Sequence, residues 1–204
     1  MKVLLINGSA HQFGCTYTAL REVADTLEKN GVETEIMWLG VKPMADCMAC
    51  GHCSRADGCA IDDEVNVLHA RSGEFQGLVV GSPVYYAAPS GRLQSFLDRL
   101  FYSADPSEWA GKPGAAVVSC RRGGASAAFD RLNKYFTISN MPVVSSQYWN
   151  SVHGFTPEDV QRDKEGLQTM RTLGENMAWM LRYTAQNEPP VHERRVATHF
   201  SSIG

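Results

Sequence analysis

Short runs that are apolar at every position, each followed by small or polar residues and then by residues at helical spacing, constrain this chain more than any other feature. Val3-Leu4-Leu5-Ile6 leads into Asn7-Gly8-Ser9, Leu78-Val79-Val80 into Gly81-Ser82-Pro83, and Ala115 to Ser119 into Cys120-Arg121. A strand apolar on both faces must be covered on both faces, which is the habit of a parallel sheet whose crossover helices lie above and below it. The intervening segments supply those helices. Leu20, Val23, Ala24 and Leu27 fall at i, i+3, i+4 and i+7, with Thr16 or Thr18 near the start and Asn30-Gly31 as the stop. Val32 to Trp38 alternates as a second strand, and Asp62 or Asp63 opens a short helix that carries Val65 and Leu68 and ends near Gly73. Leu93, Phe96, Leu97, Leu100 and Phe101 mark another helix, and Ala128, Phe129, Leu132, Tyr135 and Phe136 the next. Pro142-Val143-Val144 is expected to begin a fifth strand. One long helix is expected from Pro157 through Leu167, Met170, Leu173, Met177 and Leu181, with Gly174 as a close-packing point. The expected fold is therefore α/β, a doubly wound five-stranded parallel sheet with helices on both faces.

At 204 residues the chain is long enough for one domain, and a domain of that size buries about 70% of its unfolded surface, so cysteines are not needed as staples. Lys and Arg number 19 against 22 Asp and Glu, a net charge of -3. That balance gives no electrostatic reason to expect nucleic acid or an anionic membrane, and favours a small molecule or a protein as partner. Met1-Lys2 runs directly into the first apolar segment without a signal-peptide flank, and no apolar stretch approaches membrane-spanning length. A cytoplasmic protein with reduced thiols is expected. Residues 1–188 are expected to form the domain, with a cysteine-rich insertion at 44–60, and 189–204 a tail or an arm that packs on another subunit.

Within that insertion Cys47, Cys50, Cys53 and Cys59 are spaced Cys-x2-Cys-x2-Cys-x5-Cys. Two overlapping Cys-x2-Cys steps wrap the backbone tightly enough to aim three thiolates at one [4Fe-4S] cubane, and the fourth arrives after a turn at Gly58. Structural zinc, whose Cys-x2-Cys units usually come as separate knuckles, and free thiols are the alternatives. Three loops lie at the expected carboxyl ends of strands, where doubly wound sheets bind their ligands. The first, from Gly8 to Thr16, brings Ser9, His11, Gly14, Cys15 and Thr16 to the start of a helix, a setting that holds a phosphate monoester through backbone N–H groups and hydroxyls. It lacks the lysine of a triphosphate loop and the glycine pattern of a dinucleotide site. The second, with Pro83, Val84, Tyr85, Tyr86 and Ala87, is aromatic and proline-rich where a solvated turn is usually polar, which suits a planar ring. The third, with Ser119, Arg121, Gly123 and Gly124, offers close backbone approach and cationic side chains. Cys15 and Cys120 read as small packed thiols, and Asp98-Arg99 as a local or subunit-interface ion pair. Tyr148 and Trp149 are candidate walls of an acceptor pocket or packing residues.

Gly8-Ser9 with Gly14-x-Thr16, Gly81-Ser82-Pro83-Val84-Tyr85-Tyr86 and Ser95-Phe96-Leu97-Asp98-Arg99 resemble the flavodoxin-like NAD(P)H-dependent FMN reductases. The Cys47 to Cys59 spacing followed by Asp62-Asp63 resembles the iron-sulfur flavoprotein branch of that superfamily. The resemblance implies non-covalent FMN, with its phosphate at Ser9 to Thr16, its ring at Pro83 to Ala87 and its edge at Ser119 to Gly124. It implies NAD(P)H as co-substrate, a quinone, flavin or similar small acceptor, a ferredoxin-like protein as a possible electron partner, and a homodimer or homotetramer. In place of the family's Pro-Arg and Asn, the first loop carries Ala10-His11 and Cys15, which leaves His11 as the replacement phosphate donor. Two other classes fit the same residues: a non-enzymatic flavodoxin-like electron carrier, and a redox sensor with a zinc-held or free-thiol cysteine loop.

Overall fold

The computed structural model describes residues 1–188, 190–193 and 196. Strands β1 (Lys2–Asn7), β2 (Glu33–Trp38), β3 (Gly77–Pro83), β4 (Gly114–Cys120) and β5 (Ser151–His153) form one sheet in the order β2-β1-β3-β4-β5, with every pair parallel. The helices are α1 (Cys15–Lys29), α2 (Glu64–Arg71), α3 (Gly91–Ser103), α4 (Pro106–Trp109), α5 (Ala125–Ile138), α6 (Pro157–Arg162) and α7 (Lys164–Gln186). Val3, Leu5, Val79, Ala115 and Val117 point into a core shared with α1 and α7. Their neighbours Leu4, Ile6, Leu78, Val80, Ala116 and Val118 point into a second core shared with α2, α3 and α5. The strands are apolar throughout because each face is buried against helices, and the doubly wound α/β sheet is the architecture expected.

Local departures from expectation have visible causes. Helix α1 is capped by neither threonine. Gly14 stands at its N-cap without a side-chain bond, and the Thr18 hydroxyl donates back to the Gly14 carbonyl. Helix α2 does begin at Asp63, whose carboxylate accepts from the Val65 N–H. The fifth strand is not the one expected at Pro142-Val143-Val144. Val143 makes an isolated bridge to Gly114, and the chain then leaves the edge and returns as β5 beside Val118 to Cys120. Ser146 Oγ ties the excursion together, lying 2.7 Å from Asn150 Oδ1 and 2.6 Å from the Tyr148 carbonyl, either of which can accept its one proton. The single helix expected from Pro157 is two, broken at Asp163 (φ -75°, ψ 77°). The Asp163 carboxylate takes the N–H groups of Gly166, capping α7, and of His153, anchoring β5. Only 190–193 and 196 of the expected C-terminal tail fall within the described residues. Among the described residues no helix is long and apolar enough to cross a membrane.

Gly174 lies where α7 crosses α1. A Cβ there would stand 2.8 Å from Thr26 Cβ and 3.0 Å from the Val23 carbonyl oxygen. The carbonyl belongs to a helix backbone and has little room to yield. Overpacking of this kind costs about 1–3 kcal/mol, and the helix preference of alanine over glycine returns up to about 1 kcal/mol. Gly174→Ala is therefore expected to lower stability by about 1–2 kcal/mol, read from urea midpoints at unchanged slope. At the β2 edge, Arg71 and then Lys2 hold the Glu35 carboxyl down to about 2 from 4.5. A depressed carboxyl contributes stability that is complete above its unfolded value and is lost as pH falls through its folded one. The stability advantage of wild type over Glu35→Gln is expected to be constant near neutrality, to shrink from about pH 4.5 downward, and to shrink further in high salt because these groups are partly solvated.

Candidate functional site

The sheet order reverses between β1 and β3, and the loops that follow β1, β3 and β4 meet at their carboxyl ends. The first loop is pre-shaped by its strand. Buried Asn7 donates from Nδ2 to the Gln12 carbonyl at 2.9 Å and accepts the Ser9 N–H at 3.0 Å, while Ser9 Oγ accepts the His11 N–H at 3.1 Å. Trp38 Nε1 donates to the Ser9 carbonyl at 2.8 Å. Helix α1 then starts with no side-chain cap and no acidic residue in its first turn, so its leading N–H groups and the positive end of its dipole are left for an anion. Ala10 to Cys15, Trp38 and Phe155 to Pro157 line an open cleft of about 540 Å³ over this end. His11 and Gly14 both lie on its wall.

Short contacts join the other two loops to the first. Thr16 Oγ1 and Ser119 Oγ, both buried, are 2.8 Å apart. The Val84 N–H donates to the Ser119 carbonyl at 3.0 Å, and Pro83 lies opposite Ser119 in the sheet. Tyr85 and Ala88 exchange backbone hydrogen bonds of 2.9 Å around Tyr86 and Ala87, both at positive φ (50° and 61°). Two successive left-handed residues without glycine carry strain that surrounding structure must offset. Gly124 (φ +91°) packs so close that a Cβ would lie 2.8 Å from Ala87 Cα. Tyr86 is fully exposed, Tyr85 half-exposed, and Arg121, Arg122 and Gly123 face solvent. The Cys120 thiol is buried and donates to the Gly123 carbonyl at 3.0 Å, which closes the turn. Burial pushes the Cys15 thiol up, and Asp159 and Glu158 act in the same direction; its Sγ lies 3.8 Å from the Gly154 carbonyl. Such a thiol stays neutral and serves packing. Tyr148 and Trp149 stand apart from these loops, over a cleft of about 190 Å³ beside His153 and Asp163.

The cysteine segment forms a second region between β2 and α2. Cys47, Cys50, Cys53 and Cys59 line one cavity of about 20 Å³ together with Arg99, Tyr102 and Ser103 of α3. Cys47 and Cys50 are exposed, and Cys53 and Cys59 partly covered. Among the described residues no three His, Cys, Asp or Glu side chains stand close enough to hold one ion. The segment turns through left-handed Ala49, Gly51 and Gly58, and the Asn66 amide clamps both backbone groups of Cys59, at 2.8 Å to its N–H and 2.9 Å to its carbonyl. His69 bridges Asp57 at 2.7 Å and Glu108 at 3.2 Å, and the Asp57 hydrogen bond raises its pKa.

Arg99 corrects the sequence reading most sharply. Its side chain is fully buried and pairs not with Asp98 but with Asp63, in a fork of 2.6 and 2.8 Å. The same guanidinium donates to the Ile61 carbonyl at 2.9 Å and from Nε to Cys59 Sγ at 3.3 Å, and reaches the Ala45 carbonyl at 3.5 Å. Asp98 instead accepts from Tyr135 Oη at 2.5 Å, with Arg131 at 3.5 Å. Asp62-Asp63 after the last cysteine was the available sequence signal for the anchor. Asn66, His69 and Ser103 carried none, because their roles depend on which elements pack together.

The model of the family described as NADPH-dependent FMN reductase matches residues 1–156. Over 185 residues the chain is 31% identical to an iron-sulfur flavoprotein of Methanocaldococcus jannaschii, covering 87% of this chain and 96% of that one. Its fold matches the crystal structure of RosB with bound 8-demethyl-8-formylriboflavin-5'-phosphate, with TM-score 0.69, 15% identity and coverage of 100% and 94%. It also matches an archaeal flavodoxin, with TM-score 0.58, 18% identity and coverage of 89% and 99%. At those identities the two structures show the fold alone.

Removing Arg99 leaves the Asp63 carboxylate without its partner under the cysteine segment. Breaking a buried pair from one side costs about 3–5 kcal/mol, and the partial exposure of Asp63 (22%) places this site at the lower end. Arg99→Met is expected to lose about 3 kcal/mol in urea unfolding, whereas Arg99→Met/Asp63→Leu recovers only part of that loss, because Asp63 also caps α2 and the Ile61 carbonyl still lacks its donor.

Proposed function

Because the chain belongs to the NADPH-dependent FMN reductase family, in its iron-sulfur flavoprotein branch, we propose that this oxidoreductase binds FMN across its three joined loops. There it reduces a quinone, flavin or similar acceptor with NAD(P)H or a reduced electron carrier, and a [4Fe-4S] cluster in the cysteine cavity is coupled to the flavin. The observation that carries this reading is the uncapped start of α1 held against the end of β4 by the Thr16–Ser119 hydroxyl contact, with the loop after β3 joined there through the Val84 N–H to the Ser119 carbonyl.

The residues fit a flavin monophosphate. The leading N–H groups of α1, with Ser9, His11, Gly14, Cys15 and Thr16, receive the phosphate, a dianion that suits an unneutralised helix start. Pro83, Val84, Tyr85, Tyr86 and Ala87 wall the ring, Gly123 and Gly124 permit close backbone approach beside Ser119, and Arg121 meets the ring edge or an incoming anion. For the cluster, the chemistry of four cysteine ligands around one cavity is the fit. A cavity of about 20 Å³ is water-sized, so Cys47, Cys50, Cys53 and Cys59 would hold a cubane only with the segment opened, and Cys47 and Cys50 are its exposed members. Bound FMN supplies two-electron exchange with nicotinamide and acceptor, and a cluster supplies one-electron exchange with a ferredoxin-like protein. A homodimer or homotetramer completes the site in this proposal, since Phe13, Tyr86 and Phe155 are exposed aromatics around the loops. A cytoplasmic location, where thiols stay reduced, suits this reading.

Anaerobic mixing of the FMN-loaded protein with NADPH, and separately with NADH, tests the reading. The flavin absorbance is expected to bleach within seconds and to return on addition of a quinone. Thr16→Val is expected to weaken FMN binding about tenfold or more, the worth of a hydrogen bond to a charged group. A flavin that neither nicotinamide bleaches makes the protein an electron carrier. Zinc without labile sulfide in anaerobically purified protein overturns the cluster.

A further inference from the structure

We infer that α3 supplies the sulfur-facing hydrogen bonds of the cysteine site, with Arg99 and Ser103 as positioning residues that set where Cys59 sits and how readily a cluster there is reduced. The inference rests on reading the four cysteines as a [4Fe-4S] site. Two independent observations carry it. The buried Arg99 guanidinium spends its fork on Asp63 and still directs Nε at Cys59 Sγ, 3.3 Å away. One helical turn later, Ser103 lines the same cavity, and its buried hydroxyl has no hydrogen-bond partner among the described residues. A buried hydroxyl without an acceptor is costly, and the groups that share its cavity include the four thiols. Ser103 thus has the location and the free O–H of a donor to sulfur.

The electrostatics separate two effects. Asp63 lies within hydrogen-bond distance of both terminal nitrogens of Arg99, so the pair is close to neutral as a whole. What α3 offers the sulfur is directed N–H and O–H donation rather than net charge. Asp46, the carboxylate on the cavity wall itself, works against reduction by its charge. Donors to sulfur stabilise the more electron-rich state, and hydrogen bonds of this kind are among the factors that set cluster potentials. Arg99 and Ser103 therefore raise the potential of the site. Arg99 also holds residues 45, 59, 61 and 63 to one helix, so it orders the segment from both ends.

Wild type, Ser103→Ala, Ser103→Thr and Arg99→Lys, each anaerobically reconstituted with iron, sulfide and FMN, are compared by redox titration monitored by absorbance and electron paramagnetic resonance. In Ser103→Ala the cluster midpoint is expected to move to more negative potential while the FMN midpoint stays put. The Ser103→Ala apoprotein is expected to melt no lower than wild type, since the lost hydroxyl had no partner, and Ser103→Thr restores the potential. Arg99→Lys keeps the charge and loses the fork. It is expected to lower the cluster midpoint and, in the apoprotein, to raise the maleimide labelling of Cys59 relative to Cys47 severalfold. Wild-type iron and sulfide content with an unchanged cluster midpoint in Ser103→Ala and Arg99→Lys overturns the inference and leaves the cluster reading standing. If Arg99→Lys does not fold, the Ser103→Ala midpoint decides alone. A wild-type protein that takes up neither iron nor sulfide overturns both.

Discussion

Burial of the central strands on both faces is the constraint from which the rest of this structure follows. β1, β3 and β4 send alternate residues into two separate helical cores, so polar chemistry along their length would face desolvation without partners. Polar side chains are displaced to the carboxyl ends, where the chain leaves the sheet and backbone donors come free. Asn7, the last residue of β1, shows the transition. It is fully buried, and both ends of its amide shape the loop that follows. The same logic gives α1 its bare start, since an internal cap or an acidic first turn would occupy the donors that the neighbouring hydroxyls surround.

Much of this was legible in order and less in detail. All-apolar tetrads and helical periods are statements about burial, so the sheet, its helices and the three loops at one edge came through from sequence. The fifth strand did not, because Pro142-Val143-Val144 has the composition of a strand while the edge needs only a few pairs; the observed β5, Ser151-Val152-His153, has one buried residue and no pattern to detect. The break before α7 was hidden for a related reason. Asp163 reads as an ordinary polar position of a continuous helix, and its capping of α7 and hold on β5 are contacts between elements. Among the candidate residues, the loop hydroxyls and glycines could be proposed from type and place, but the bond between Thr16 and Ser119 crosses 103 positions of sequence and is a product of the fold.

The cysteine segment joins this architecture through side chains rather than through regular structure. Between β2 and α2 it contains a single turn of 3-10 helix, His52–Ser54, and its order comes from the Arg99 fork, the Asn66 clamp on Cys59 and the His69 bridge to Asp57. A buried guanidinium tolerates this position because its donors have acceptors, which is the condition for keeping a charge out of water. Adjacent in sequence, Asp98 and Arg99 face different directions on the helix. One serves the Tyr135 side and the other the cysteine side, so the pair suggested by proximity in sequence cannot form.

Helix α3 touches both regions. Ser90 at its N-cap donates from its hydroxyl to the Gly8 carbonyl and from its backbone N–H to Ser82 Oγ, which fastens the helix start to the first and second loops. Nine residues further on, Arg99 fastens the same helix to Cys59. At about 1.5 Å per residue those anchor points are separated by roughly 14 Å along the axis. The helix therefore acts as a ruler: flexing of the intervening loops leaves the interval between the two regions unchanged, while one added or deleted turn would displace the cysteine cavity by about 5.4 Å from the loop cluster.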